Sequence, residues 1–199
     1  MRLHISFVSK LGKAIPTINL PAGVTCRPDA PCLDKCYARK GNFRFRTVKK
    51  VLAENLRYWQ EDPAGFESDI RTYARMYRYI RWHSSGDIPD MEYLKMMCRV
   101  AAYNPHTEFL CFTKKFEMIN KYLDNNILPT NLHIVLSAWG NFIPENNHSL
   151  PLAMVKFRNE ESDIPDTAIA CPGFCETCCR EGGSCWELTS GQAVYFDEH

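Results

Sequence analysis

Short apolar runs alternating with stretches of helical spacing constrain this chain most. Ile15 to Leu20 reads as a strand running into Pro21-Ala22-Gly23. Tyr79-Ile80-Arg81-Trp82-His83, Glu108 to Phe112 and Leu132 to Leu136 read as further strands, with Ala153 to Phe157 and Thr167 to Ala170 as shorter ones. Between them, Val48, Val51, Leu52, Leu56 and Trp59 recur at helical spacing from about Arg46 to Gln60, and Asp62-Pro63 opens a second helix carrying Phe66, Ile70, Tyr73, Ala74 and Tyr77. Asp90 is placed to cap a third helix through Tyr93, Leu94, Met97, Val100 and Ala101, which Asn104-Pro105 stops, and Phe116 to Leu123 forms a fourth. Strands alternating with helices indicate parallel βα units, and so an α/β fold. In such folds the loops that follow the strands share one face, and that face carries the chemistry. The expected architecture is a single α/β domain over residues 1–199, a partial (β/α) barrel of parallel strands with cysteine-rich loops at the strand C-terminal face. Curling of the sheet would bring its first and last strands towards a common mouth.

The cysteines give that face its content. Eight of the ten fall in two clusters, Cys26-x5-Cys32-x3-Cys36 and Cys171-x3-Cys175-x2-Cys178-Cys179-x5-Cys185, at opposite ends of the chain. The N-terminus has no apolar run of signal-peptide length and no window approaches a membrane span, so a cytoplasmic location and no membrane partner are expected. Reducing conditions there turn clustered cysteines from a disulfide framework into a metal or redox site. Soft thiolates select zinc or iron–sulfur. Cys171, Cys175, Cys178 and Cys185 supply four ligands, enough for a 4Fe-4S cluster, and Cys179 reads as the bystander or as a replacement for a neighbouring ligand. Cys26, Cys32 and Cys36 supply three and leave one corner open. Only one Cys-x2-Cys pair is present, whereas structural zinc sites usually use two. Iron–sulfur is therefore the leading expectation, with one or two clusters, and zinc is the alternative. One cluster drawing on both loops, with the remaining thiols free for zinc, stays open. Cys98 and Cys111 fall on a helix face and inside a strand, and read as core.

Other strand-end residues are candidates for ligand binding. Ser85 and Asp87 are placed to hold an amine or hydroxyl, Gly86 to let a backbone approach, and Lys114 to meet an anion; a plain strand-to-helix turn explains the first three equally well. His83 reads as a satisfied histidine in a sheet. Net charge is +1 and names no partner, but charge is uneven: Arg39 to Arg81 holds eleven Lys or Arg against five Asp or Glu, and Glu145 to the end holds three against ten. The run Arg39 to Lys50 has six cations, two aromatics and no acid, the composition of a surface that tracks phosphates and stacks bases, or else of a solvated helix face. A metal-stabilised nucleic-acid-binding protein is therefore a second functional expectation, beside a redox protein with an electron-transfer partner or small-molecule substrate.

With these residues in view, the chain resembles the phage and prophage family known as gene product eighty-eight. The residues that carry the resemblance are Leu20-Pro21-Ala22-Gly23-Val24-Thr25-Cys26, Cys36-Tyr37-Ala38, Arg81-Trp82-His83-Ser84-Ser85-Gly86-Asp87, Phe112-Thr113-Lys114, and the tail from Cys171-Pro172 to Cys185-Trp186. The resemblance implies an architecture and a metal, not a reaction. A more distant similarity is to radical S-adenosylmethionine enzymes, whose partial barrels carry a three-cysteine loop after the first strand and a Gly-Gly-Glu-Pro stretch after the second, where this chain has Ser85-Gly86-Asp87-Ile88-Pro89. It implies S-adenosylmethionine as a cofactor. Their Cys-x3-Cys-x2-Cys spacing, however, stands here at Cys171, Cys175 and Cys178 rather than after the first strand.

Overall fold

The structure is a computed structural model, describing residues 1–8, 11–12, 14–158, 163–181 and 184–198. Its frame is an eight-stranded sheet. The strands are β1 (Ile5–Phe7), β2 (Pro16–Ile18), β3 (Tyr79–Trp82), β4 (Glu108–Thr113), β5 (Leu132–Ser137), β6 (Leu152–Lys156), β7 (Ile169–Ala170) and β8 (Ala193–Asp197). The helices are α1 (Arg46–Glu61), α2 (Pro63–Ala74), α3 (Met91–Tyr103), α4 (Phe116–Leu123) and α5 (Cys175–Glu181). The order across the sheet is β1-β2-β3-β4-β5-β6-β8-β7; β1 is antiparallel to β2 and every other pair is parallel. Sequential strands lie side by side from β1 to β6 without a reversal of direction along the sheet. Among the described residues the two edges, β1 and β7, do not pair with each other, so the sheet they form is open.

Period-two alternation divides the apolar residues between two faces. Ile80 and Trp82 of β3, Phe109 and Cys111 of β4, and Leu132, Ile134 and Leu136 of β5 form one core with Tyr58 and Trp59 of α1, Phe66, Ile70 and Ala74 of α2, Tyr93, Leu94 and Met97 of α3, and Phe116 and Ile119 of α4. Burying each large side chain here stabilises the fold by about 1.5–3 kcal/mol. The other face carries Tyr79, Leu110, Phe112, Val135, Ala153, Val194 and Phe196. Its cover is the cysteine-rich tail: Cys171, Cys175, Cys178, Cys179, Cys185, Trp186 and Leu188, with Leu11 and Ile15 beside them. Helices therefore seal one side of the sheet and cysteines the other.

Local chemistry sets the element ends as expected. Asp62 accepts the Gly65 N–H to cap α2 and Asp90 accepts the Tyr93 N–H to cap α3. Asn55 on α1 is buried and fastens the first strands: its amide donates to the carbonyls of His4 and Asn19 while its oxygen accepts the His4 N–H. This anchors the end of β2, from which the first cysteine loop departs.

Three expectations change. Cys175, Cys178 and Cys179 lie on helix α5 rather than on a loop. The tail cysteines pack against the open face of the sheet, not only at the strand ends. His83 is not satisfied: it is buried in the left-handed region (φ 58°), and neither ring nitrogen has a hydrogen-bond partner. The turn at His83 places its ring against Trp82 and Tyr93, on the helix side of the sheet. Burial there holds its pKa down at about 3.

Candidate metal centre

The tail group is built by a strand, a helix and a turn. Cys171 follows β7, and its N–H bonds to the Tyr195 carbonyl on β8, which fixes it at the sheet edge. Residues at i, i+3 and i+4 share a helix face, so α5 presents Cys175, Cys178 and Cys179 together. Cys185 lies in a short 3-10 turn, and the adjacent Trp186 packs edge-on against Tyr79 of β3 with centroids 5.0 Å apart. Burial, first of all, raises the pKa of Cys185 to about 12, with Cys171, Cys175 and Cys178 pushing the same way. The Cys179 thiol is likewise raised to about 12 by burial and by Cys175 and Cys178. Cys185 thus feels all three of the other proposed ligands.

Arg81 lies beside this group and was not singled out by sequence reasoning. Its guanidinium sits over the Phe112 ring, 4.4 Å from the centroid, and Nη1 donates to Cys175 Sγ at 3.7 Å. Against the upward pull of burial it lowers the pKa of Cys175, Cys171 and Cys185. The signal was in the alternation of Tyr79-Ile80-Arg81-Trp82. Ile80 and Trp82 go to the helix core, so Arg81 must face the other side with Tyr79.

The first group lies beyond the ends of β3 and β4. Burial raises the thiol pKa values of Cys26 and Cys32; Asp87 and the neighbouring thiols add to this in both, while Lys114 pulls Cys32 down. Lys114 itself donates to Ser137 Oγ at 2.7 Å and lies 5.9 Å from the Trp139 ring centroid. Both groups have a leading cysteine whose sulfur accepts a backbone N–H: Gly23 N–H to Cys26 and Gly173 N–H to Cys171, each at 3.4 Å. Tyr37, next to Cys36, connects them. Its hydroxyl donates to the Ser84 carbonyl and is buried there although much of the residue is exposed; that burial raises its pKa, Arg81 opposes the rise, and Cys36, Cys32 and Cys175 contribute to it.

Ser85, Gly86 and Asp87 are placed beside the first group with their polar atoms already engaged. Ser85 Oγ donates to the Leu20 carbonyl and Ser85 N–H to Asn19 Oδ1. The Asp87 carboxylate accepts from Thr113 Oγ1 at 2.6 Å, from Lys114 N–H at 2.9 Å and from Ile88 N–H at 2.8 Å. Its pKa is raised by burial, against these three hydrogen bonds. The Asp87 N–H donates in turn to Thr25 Oγ1, one residue before Cys26. The trio therefore clamps the β3–α3 and β4–α4 loops onto the first cysteine loop. Cys98 and Cys111 are buried, Cys111 completely.

Every cysteine is a free thiol, with no disulfide. Among the described residues, no three His, Cys, Asp or Glu side chains converge closely enough to hold a single metal ion. A family model described as Gene product 88 matches residues 5–185. The chain belongs to this family. No curated protein and no solved structure matched the gene product 88 chain, and none of the comparisons returned an S-adenosylmethionine enzyme. No helix among the described residues is long and apolar enough to cross a membrane.

Proposed function

We propose that this gene product 88 protein is an iron–sulfur protein. Cys171, Cys175, Cys178 and Cys185 hold a 4Fe-4S cluster against the open face of the sheet, which we read as the inner surface of a partial barrel. Cys26, Cys32 and Cys36 hold a second cluster at the strand ends, with one iron lacking a protein thiolate. The observation that carries this reading is the grouping of four thiols on one face of the sheet beside Arg81, Cys185 buried and Cys171, Cys175 and Cys178 partly so.

The residues fit such a group. Partial burial makes these thiols resist ionisation, raising the pKa of Cys185, Cys175 and Cys171, and a multivalent metal centre is what stabilises several adjacent thiolates together. These cysteines include only one Cys-x2-Cys pair, where structural zinc sites commonly use two, and on that ground a cluster is favoured over zinc. When bound, the cluster supplies one-electron transfer. The chain's own part is to set its surroundings. Arg81 places a positive charge beside Cys175, the Gly23 and Gly173 N–H groups hydrogen-bond sulfur, and Trp186, Leu188, Leu110 and Val135 exclude water.

The test is anaerobic reconstitution with iron and sulfide, followed by counting both in cysteine variants. Cys185→Ala and Cys32→Ala should each remove a separate share of the iron and acid-labile sulfide, and the double variant should hold neither. Equal iron content in all three would refute the assignment.

A further inference from the structure

A different surface, beginning one residue after Cys36, points to a polyanionic partner. From Tyr37 to Ala53 the chain has no acidic residue, and Arg39, Lys40, Arg44, Arg46, Lys49 and Lys50 are all exposed. Arg39 donates to the Leu33 carbonyl and Lys50 lies 3.8 Å from Glu54. Among the described residues, Lys40, Arg44, Arg46 and Lys49 make no side-chain hydrogen bond or ion pair. The local backbone adds to the charge. Arg46 and Lys49 stand in the first turn of α1, where the helix dipole is already positive; that turn has no acid and no side-chain cap.

Aromatic rings lie among the cations. Phe45, the residue before α1, is 60% exposed and Tyr37 is 53% exposed, with Phe43 edge-on to Tyr37 at 6.0 Å. Large apolar rings left in water beside unpaired cations meet both needs of an unpaired nucleotide chain: phosphates to pair with, and bases whose faces can stack. A bilayer fits less well. Leu52, Tyr58 and Trp59 of α1 are buried in the core and Val48, Val51 and Leu56 are half-buried, so the helix exposes no large apolar side chain to lipid.

We propose that the surface formed by Lys40, Arg44, Phe45, Arg46 and Lys49, with Tyr37 at its edge, binds single-stranded nucleic acid without sequence preference. The proposal uses none of the cysteines and stands or falls separately from the iron–sulfur reading. Binding is measured by fluorescence anisotropy of a labelled single-stranded oligonucleotide with the full chain over a salt series. For single strands the logarithm of the binding constant falls with the logarithm of salt by about 0.7 per phosphate neutralised, so the Arg44→Gln/Arg46→Gln/Lys49→Gln triple variant should flatten the slope by roughly 2. The single variants Arg44→Gln and Lys49→Gln, each flattening it by about 0.7, replace the triple if it does not fold. Phe45→Ala should weaken binding roughly five- to hundredfold and leave the slope unchanged, because stacking releases no counterions. A duplex of the same sequence should bind more weakly than the single strand. Three results would each overturn the proposal: a Phe45→Ala variant that binds like the parent, equal affinity for duplex and single strand, or tighter binding to phosphatidylserine vesicles than to the oligonucleotide at the same salt.

Discussion

Gly86 and Gly23 offer a matched pair for testing how the first cysteine loop is held. Both adopt φ of +80°, so an alanine at either position pays the same left-handed penalty, on the order of 1–2 kcal/mol. Both would also gain about 0.4–1 kcal/mol from stiffening the unfolded chain. Their surroundings differ. A Cβ at Gly23 meets nothing within 4 Å, whereas at Gly86 it would lie 2.7 Å from the Leu20 carbonyl oxygen and 2.7 Å from Thr25 Oγ1. Neither atom yields easily. The Leu20 carbonyl accepts the Ser85 hydroxyl, and Thr25 Oγ1 accepts the Asp87 N–H while donating to the Pro21 carbonyl. Relieving the clash means breaking the clamp or moving the strand end, a cost of about 1–3 kcal/mol. Gly86→Ala should therefore destabilise the fold by about 2–4 kcal/mol and Gly23→Ala by about 1 kcal/mol or less, compared by urea unfolding at unchanged m-value. In a chain of this length the difference corresponds to roughly 2–4 °C in Tm per kcal/mol. Finding the two variants within about 0.5 kcal/mol of each other would refute the close approach of the two loops.

Other outcomes follow from single residues. His83 is held neutral by burial, with its pKa at about 3. Because that value lies below the unfolded one, its contribution is present above about pH 6.5 and is lost as pH falls; His83→Phe should remove about 3 kcal/mol of the stability lost by about pH 4, measured by urea titration at each pH. Cys179→Ala should keep the iron of the tail site while Cys185→Ala loses it, since Cys185 is buried against the sheet and Cys179 only partly so; iron analysis after anaerobic reconstitution decides. Arg81→Gln removes the cation that favours the Cys175, Cys171 and Cys185 thiolates. In the metal-free reduced protein their alkylation should slow about fivefold or more, as loss of on the order of 1 kcal/mol of charge stabilisation implies, with mass spectrometry locating the slowed thiols.

Much of the frame was legible because its signals are local. The spacing of Leu52, Leu56 and Trp59, the caps Asp62 and Asp90, and the boundaries of α4 and β5 follow from periodicity and turn chemistry. β1 and β8 were not read from the sequence. Each is a short strand that owes its place to its neighbours: Ile5–Phe7 pairs with β2, and Ala193–Asp197 lies between β6 and β7 although it follows β7 by more than twenty residues. Helix α5 was hidden because cysteine was read as ligand rather than as the apolar face it also forms, although the i, i+3, i+4 spacing of Cys175, Cys178 and Cys179 was there. Arg81 required knowing which face of β3 the tail covers, and that is a property of the tertiary packing.

The central claim is that the thiols gathered beneath Arg81 and beside Asp87 hold iron and inorganic sulfide. Mössbauer spectroscopy of protein made anaerobically with enriched iron tests it most directly. The account predicts valence-delocalised cubane signals with roughly equal iron and sulfide, approaching about eight of each per chain at full loading. Stoichiometric zinc with no cluster iron, or thiols all titrating free in protein kept from oxygen throughout, would contradict it.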